Sequence, residues 1–280
     1  MLNNYFKLAW RNLVKNRQFT FLNLIGLATG LACTILIYLW VIDELHVNKF
    51  TNNDSRIYQV MQQATEGNQA FENTPGVLAS SLWKEMPEVE YAASVIPPTW
   101  FANKGLFSFS DTHIRADGGF VSKDFFNIFS RQFIEGRRNQ LFAGKNNISI
   151  SKDLALKLFG TSYNIIGKTI EWNQDGFNGN YVITSVFEKF PSNSTIQFDA
   201  MLNYDQFLEN NPKLLQWDNN DPNTYLLLKN GTNVPNFNKK LAGFIKSKNA
   251  QSTETLFAQL FSDTYLYNHY ENGAPSGGRV

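Results

Sequence analysis

One cysteine, three histidines and no phosphate-cradling glycine motif set the first limits on this 280-residue chain. The lone Cys33 leaves no disulfide framework, so a small cross-linked secreted scaffold is excluded and stability must come from a packed core. His46, His113 and His269 stand far apart without a metal-type partner two to four positions away, and each reads as a surface or structural residue. GxGxxG, GxxxxGK(S/T) and GxSxG are all missing, which removes the usual marks of dinucleotide, P-loop and α/β-hydrolase chemistry. Glu171, Asn173, Asp175 and Gly176 imitate the first half of a calcium loop. Val182 stands where the bidentate Glu is required, so the stretch is read as a hairpin turn. Basic residues cluster no further than Arg137-Arg138 and Lys239-Lys240, so no nucleic-acid partner is expected. No catalytic residues, metal site or cofactor are expected, and nothing names an enzyme.

What is present is a long apolar run. From Phe19 to Ile42 there is no charged residue, and as a helix these residues reach roughly 36 Å, enough to cross a hydrocarbon core. A cleaved signal peptide would have a shorter apolar region closed by small residues; here Trp40, Val41 and Ile42 close it. Cys33 follows Leu31-Ala32 as in a lipoprotein signal, but Gly30 occupies the position where Leu is wanted and the apolar run continues, so it is read as a membrane-buried thiol. Ahead of the run lie Lys7, Arg11, Lys15 and Arg17 and no acid. The positive-inside rule therefore places residues 1–18 in the cytoplasm and 43–280 outside the membrane. Within 2–15, Leu2, Phe6, Ala9, Trp10, Leu13 and Val14 recur at helical spacing opposite Lys7, Arg11 and Lys15, the pattern of an amphipathic helix lying on the anionic inner leaflet. Lys7, Trp10, Arg11, Lys15 and Arg17 are the expected anchoring residues. Gly26, Gly30 and Thr34 form a small-residue stripe through which another helix could pack.

Beyond the run, Ile57–Met61 and Glu88–Val95 have strand composition. Between them Thr74-Pro75 resembles a helix start with Leu78, Leu82 and Met86 on one stripe. Tyr225–Leu228, a helix opened by Val234-Pro235 with Phe237, Leu241, Phe244 and Ile245 inward, and Leu256–Leu260 repeat this β-α-β plan. Two such units can share one sheet as a split ferredoxin-like arrangement, which makes residues 99–223 an insertion. That insertion is read as β-rich: Phe107–Phe109, Ile114–Ala116, Ile148–Ile150, a short helix capped by Ser151 and ended by Gly160, and a hairpin of Thr169–Trp172 and Tyr181–Val186. Phe125, Phe126 and Phe129 are assigned to its core. Tyr265, Tyr267 and Tyr270 suit either a partner surface or the core. Gly273–Gly278 has linker composition. The fold class expected is α+β, with segments 1–18, 19–42, 43–98, 99–223, 224–272 and 273–280 as amphipathic helix, membrane helix, first half-domain, insertion, second half-domain and linker.

Tyr5-Phe6-Lys7-Leu8-Ala9-Trp10-Arg11-Asn12-Leu13, Asn16, Leu22-Asn23 and Gly26-Leu27-Ala28 together resemble the start of MacB/FtsX-type ABC transporter permeases, in the form common in Bacteroidetes. Asp43-Glu44, Arg56-Ile57-Tyr58, Phe125–Phe129, Ile148–Ser151, Leu158-Phe159-Gly160, Ile166-Gly167-Lys168 and Phe198-Asp199 extend the resemblance over nearly the whole chain. It implies one transmembrane helix, a bipartite periplasmic domain (porter-like halves interrupted by a β-rich insertion), and three further helices in the bacterial inner membrane. It also implies a separate cytoplasmic ABC ATPase, a second permease copy, a periplasmic adaptor protein and membrane lipid as partners. The chain stops where the second membrane helix is expected, so it is read as the amino-terminal portion of a permease whose periplasmic domain relays ATP-driven conformational change for export or for lipoprotein or peptide handling. The alternatives are a single-span membrane-anchored periplasmic binding module and, further off, an anchored hydrolase.

Overall fold

The computed structural model describes residues 2–63, 70–271 and 274–279. Two units result: Met1–His46 and Val47–Val280. In the first, α1 (Leu2–Lys15) and α2 (Arg17–Leu45) are separated at Asn16, whose backbone leaves the helical region at φ −108° and ψ 54°. Thr20 Oγ1 donates to Leu13 O across that break at 2.9 Å. The 29 residues of α2 take in Arg17-Gln18 and Asp43–Leu45 beyond the expected run and extend about 43 Å. By length and composition α2 can cross a bilayer.

The second unit is α+β. Its strands begin with β1 (Ile57–Gln63), β2 (Ala70–Phe71) and β3 (Asn73–Pro75), followed by α3 (Leu78–Glu85) and β4 (Val89–Ile96). The inserted region holds β5 (Gly105–Phe109), β6 (Thr112–Ala116), β7 (Gly118–Val121), α4 (Phe125–Ile128), β8 (Phe133–Gly136), β9 (Asn147–Ser151) and α5 (Lys152–Phe159). It continues through β10 (Thr169–Gln174), β11 (Phe177–Phe187), β12 (Ala200–Asn203) and α6 (Tyr204–Asn210). Then come β13 (Asn220–Leu228), α7 (Val234–Ala242), α8 (Phe244–Lys248), β14 (Thr255–Leu260), β15 (His269–Glu271) and β16 (Ala274–Gly277).

Strands β14-β1-β13-β4 lie side by side, each pair antiparallel, which is the ferredoxin-like order built from the two separated β-α-β units. β4 then pairs with β7 through Val95↔Val121 and Ile96↔Phe120. The same sheet therefore runs on into the insertion through β12, β9, β11, β10, β5 and β6. Gly119 permits this join: a Cβ there would sit 2.5 Å from Ile96 O and 2.6 Å from the Phe198 ring. The insertion has its own core around Phe107, Phe120, Trp172 and Phe177, with Trp172 stacked on Phe107 and Phe177. Ser151 caps α5 by accepting from Leu154 N, and Gly160 ends it at φ +70°. The β10–β11 hairpin turns at Asp175 and Gly176, both at positive φ, as a two-residue turn between right-twisted strands demands.

Three local expectations are corrected. Thr74-Pro75 does not open a helix but lies in β3, because Thr74 Oγ1 is engaged by Pro222 O at 2.9 Å and Thr224 Oγ1 at 2.7 Å; α3 starts at Leu78 without a side-chain cap. The helix after Val234 is interrupted at Gly243 and resumes as α8. Within the stretch read as a linker, Ala274–Gly277 forms a strand paired with His269–Glu271, while Gly273 and Val280 lie outside the described residues.

Candidate functional site

The two faces of the ferredoxin-like sheet are covered differently. Alternate strand residues face opposite sides. On one side Val60, Leu226 and Leu228 meet Leu78, Leu82, Phe237, Leu241 and Ile245 from α3, α7 and α8. On the other, Ile57, Ala93, Val95, Tyr225 and Leu227 join the phenylalanines of α4. Phe129 lies edge-on to Tyr225 and Phe261, each at a centroid distance of 5.1 Å. Where that aromatic cover ends, a cleft of about 670 Å³ opens between the sheet and the insertion.

Gln59, Val95, Asn223 and Tyr225 contribute to the cleft from the sheet. Pro97–Lys104, Asp117 and Thr195–Phe198 line it from the insertion, and Glu72, Asn73, Thr264, Tyr265, Asn268 and Arg279 from segments flanking the sheet. Its charged side chains are each engaged. Lys104 Nζ donates to Asp117 Oδ2 at 2.6 Å, and this hydrogen bond holds the ammonium above its usual pKa. Glu72 Oε2 accepts from Asn223 Nδ2 at 3.3 Å. Arg279 Nη1 donates to the Tyr265 hydroxyl at 2.5 Å, its guanidinium 4.1 Å from the ring centroid. Burial raises the Tyr225 phenol well above its ordinary value, with Glu72 adding to the effect, so this group stays neutral at physiological pH.

Gln59 is the exception to this satisfaction of polar groups. It is 3% exposed, and its Nε2 has no hydrogen-bond partner. A buried unpaired amide donor costs about 1–3 kcal/mol. Of the five buried side-chain nitrogen and oxygen atoms without a partner among the described residues, it is the one donor and the one that belongs to a residue lining the cleft.

Asn48 fixes two walls of the same cleft. It is 1% exposed at φ +64°, a conformation that Asn tolerates better than other non-glycine residues. Its Oδ1 accepts from Thr195 N at 2.8 Å and Thr195 Oγ1 at 2.9 Å. Its Nδ2 donates to Phe261 O at 3.3 Å, and its backbone N–H donates to Asn193 O at 2.9 Å. Thr264 Oγ1 returns to that same Phe261 carbonyl at 2.9 Å. One carboxamide, close in sequence to the end of α2, thus joins the Thr195 and Thr264 sides of the cleft.

The residues singled out from the sequence lie elsewhere. Lys7, Trp10, Arg11 and Lys15 are exposed on α1, with the three cations four residues apart. Arg17 opens α2 and donates from Nε to Val14 O at 3.3 Å. Gly26, Gly30 and Thr34 are exposed on α2; a Cβ at either glycine would meet nothing within 4 Å, and Thr34 Oγ1 donates to Gly30 O at 2.8 Å. The three tyrosines divide. Tyr265 lines the cleft, Tyr267 is partly exposed, and Tyr270 is buried with its hydroxyl on Gln259 Oε1 at 2.5 Å; burial pushes that phenol up to about 12. Sequence reading missed Gln59 and Asn48. Gln59 had a signal, an amide in the middle of the otherwise largely apolar Ile57–Met61; Asn48 had none beyond its residue type.

The family model for the MacB-like periplasmic core domain matches residues 20–244. No curated protein matches the chain. Among solved structures, it is similar to a domain from Porphyromonas gingivalis described as belonging to a permease protein (TM-score 0.64, 21% identity, covering 76% of this chain and 93% of that one). It is also similar to the periplasmic region of MacB from Actinobacillus actinomycetemcomitans (TM-score 0.53, 13% identity, 75% and 91% covered). A third similar structure is the extracellular domain of the noncanonic ABC-type transporter YknZ from Gram-positive bacteria (TM-score 0.52, 13% identity, 72% and 99% covered). At these identities the likeness speaks to the fold.

Proposed function

The chain belongs to the MacB-like periplasmic core domain family, and from that premise we propose that it is the extracytoplasmic body of an ABC-type permease, tethered through α2, that relays ATP-driven motion across the envelope. In this reading ATP is hydrolysed by a separate cytoplasmic ATPase, and a second permease copy and a periplasmic adaptor complete the assembly. Lys7, Trp10, Arg11, Lys15 and Arg17 hold α1 at the inner leaflet, and the Gly26, Gly30 and Thr34 stripe packs against neighbouring helices.

The supporting observation is the Asn48 node. A displacement reaching Val47-Asn48 is passed by short hydrogen bonds to Thr195 and Phe261 and so to both sides of the cleft. Packed, hydrogen-bonded elements move as bodies instead of deforming continuously. The test is maleimide labelling of a Thr195→Cys variant in a Cys33→Ser background, in membranes where the chain is assembled with its ATPase. The labelling rate is expected to change severalfold when ATP and vanadate trap the ATPase. An unchanged rate at Thr195→Cys, with ATPase trapping verified, refutes the relay.

A further inference from the structure

α1 and α2 meet in an elbow whose lining passes from charged to polar to apolar. We propose that it holds one anionic phospholipid, with the phosphate on Lys15 and Arg17, a glycerol ester on Asn23 and an acyl chain along α2. Such a site presupposes that α2 spans the membrane with α1 at the inner leaflet, and goes beyond it, since anchoring needs only a charged amphipathic surface. Three observations carry it. First, the elbow is concave and tied at its bend. A groove of about 510 Å³ is lined by Ala9, Asn12 and Leu13 from α1 and by Thr20, Asn23 and Leu27 from α2, each set spaced as one helix face. Thr20 Oγ1 donates to Leu13 O at 2.9 Å and Arg17 Nε to Val14 O at 3.3 Å. Ala9 and Leu13 belong to the apolar side of α1, so with that side toward the bilayer the groove opens to lipid and not to water.

Second, the mouth of the groove is cationic. Lys15 and Arg17 flank the bend and line an adjoining concavity that shares Asn16 and Phe19 with the groove. No acidic residue occurs before Asp43, so α1 and the cytoplasmic end of α2 hold no carboxylate to neutralise them. Arg17 spends Nε on Val14 O and keeps its terminal nitrogens for a phosphate. Cations so placed attract an anionic headgroup, whereas a neighbouring apolar helix brings no anion to the bend.

Third, the polar and apolar groups come at the depths a phospholipid requires. Asn23 is the one carboxamide between Phe19 and Ile42. It lies six residues beyond Arg17, about 9 Å along the helix, while the headgroup zone on each side of the hydrocarbon core is about 5–7 Å thick. With Arg17 at the phosphates, Asn23 reaches the inner edge of that zone, where ester carbonyls accept from a carboxamide that hydrocarbon alone would leave unsatisfied. Deeper still, Leu24 and Leu27 line the groove and are 62% and 72% exposed, an open track for an acyl chain. Gly26, Gly30 and Thr34 do not line it, so that stripe stays available to a helix.

The experiment is native mass spectrometry of the full chain in neutral detergent micelles. The chain is titrated with palmitoyl-oleoyl phosphatidylglycerol, with phosphatidylcholine of the same acyl chains, or with glycerol 3-phosphate. One phosphatidylglycerol per chain is expected to be retained saturably, phosphatidylcholine at least tenfold more weakly, and glycerol 3-phosphate not at all. Lys15→Gln/Arg17→Gln is expected to lower the affinity for phosphatidylglycerol about tenfold, and Asn23→Leu severalfold. Lys7→Gln/Arg11→Gln removes the same charge from α1 outside the groove and is expected to change the affinity less than twofold. The proposal is overturned by equal retention of phosphatidylcholine, by glycerol 3-phosphate binding as tightly as the lipid, by equal losses in the two double variants, or by undiminished binding to Asn23→Leu. A dimer that is lost in Asn23→Leu, with no lipid retained, would give the groove to a second helix and overturn it too. Retention on membranes after carbonate washing reads the anchoring whatever the headgroup, so site and anchor can fail separately.

Discussion

At the scale of single residues, the structure concentrates its polar work in two amides with opposite balances. Asn48 is saturated: its carboxamide and backbone N–H together engage Thr195, Phe261 and Asn193. Asn48→Ala would remove both side-chain partners; Phe261 O keeps the Thr264 hydroxyl and N–H, so Thr195 N is the group left to find another acceptor, a loss of about 1–3 kcal/mol if it stays buried. It would also place an alanine at positive φ, where the Cβ adds strain. Asn48→Gly relieves the strain but not the lost bonds, and Asn48→Asp keeps the acceptor while losing the donor to Phe261. The expected order of unfolding midpoints in urea is therefore wild type, then Asp or Gly, with Ala lowest. A midpoint for Asn48→Ala equal to the wild type would show that the node holds nothing. Gln59 is the inverse case, a buried donor holding no partner, and Gln59→Leu is predicted to leave the unfolding midpoint unchanged or raised.

At the scale of elements, the join between β4 and β7 is the most consequential contact, because it turns a four-stranded ferredoxin-like sheet and an insertion into one continuous sheet. Only two residue pairs make it, Val95↔Val121 and Ile96↔Phe120, supported by Ser122 N donating to Ser94 O at 3.0 Å and Ser94 N donating to Ser122 Oγ at 3.0 Å. Gly119→Ala would press a methyl group to 2.5 Å from Ile96 O, and backbone cannot yield as a flexible side chain can. Overpacking of this kind costs about 1–3 kcal/mol. Hydrogen exchange should then quicken at Val95, Ile96 and Val121 while the helix-covered strands keep their protection; uniform protection would place the join's strength elsewhere. Much of this architecture was legible in the sequence. The strands β1, β4, β13 and β14 carry dense apolar runs, and helices α3 and α7 carry Leu78/Leu82 and Phe237/Leu241 at helical spacing. What was not legible was decided by partners remote in the chain. Thr74-Pro75 has the composition of a helix start, yet Pro222 and Thr224, nearly 150 residues on, claim its hydroxyl. β7 and β12, Gly118–Val121 and Ala200–Asn203, are four-residue segments too short for any periodicity. The cleft was illegible for the same reason, since its walls come from at least five separate stretches of chain.

At the scale of the whole molecule, apolar surface is divided unequally between the two units. α2 buries none of its residues, and its exposed side chains include Phe19, Phe21, Leu22, Leu24, Leu27, Leu36 and Trp40. A contiguous apolar surface of that extent is not tolerated in water and marks a membrane or protein partner. The described residues from Val47 onward form four buried clusters, each holding aromatic side chains, and the exposed large apolar residues there, such as Phe71, Trp83, Leu156 and Leu215, are scattered along the chain. A chain deprived of residues 1–46 is therefore expected to stay in solution when exported, and the full chain to remain with membranes after carbonate washing. The proposed orientation rests on charge: Lys7, Arg11 and Lys15 precede α2 and Arg17 opens it, with no acid among them, and the positive-inside rule assigns such a flank to the cytoplasmic side. Protease added to spheroplasts should digest the body and spare a tag placed before Met1. Replacing all four cations with glutamate should expose that tag in a measurable fraction of molecules. A body resistant to external protease in intact spheroplasts, yet cleaved once they are lysed, would place it in the cytoplasm and remove the basis for a relay to the outside.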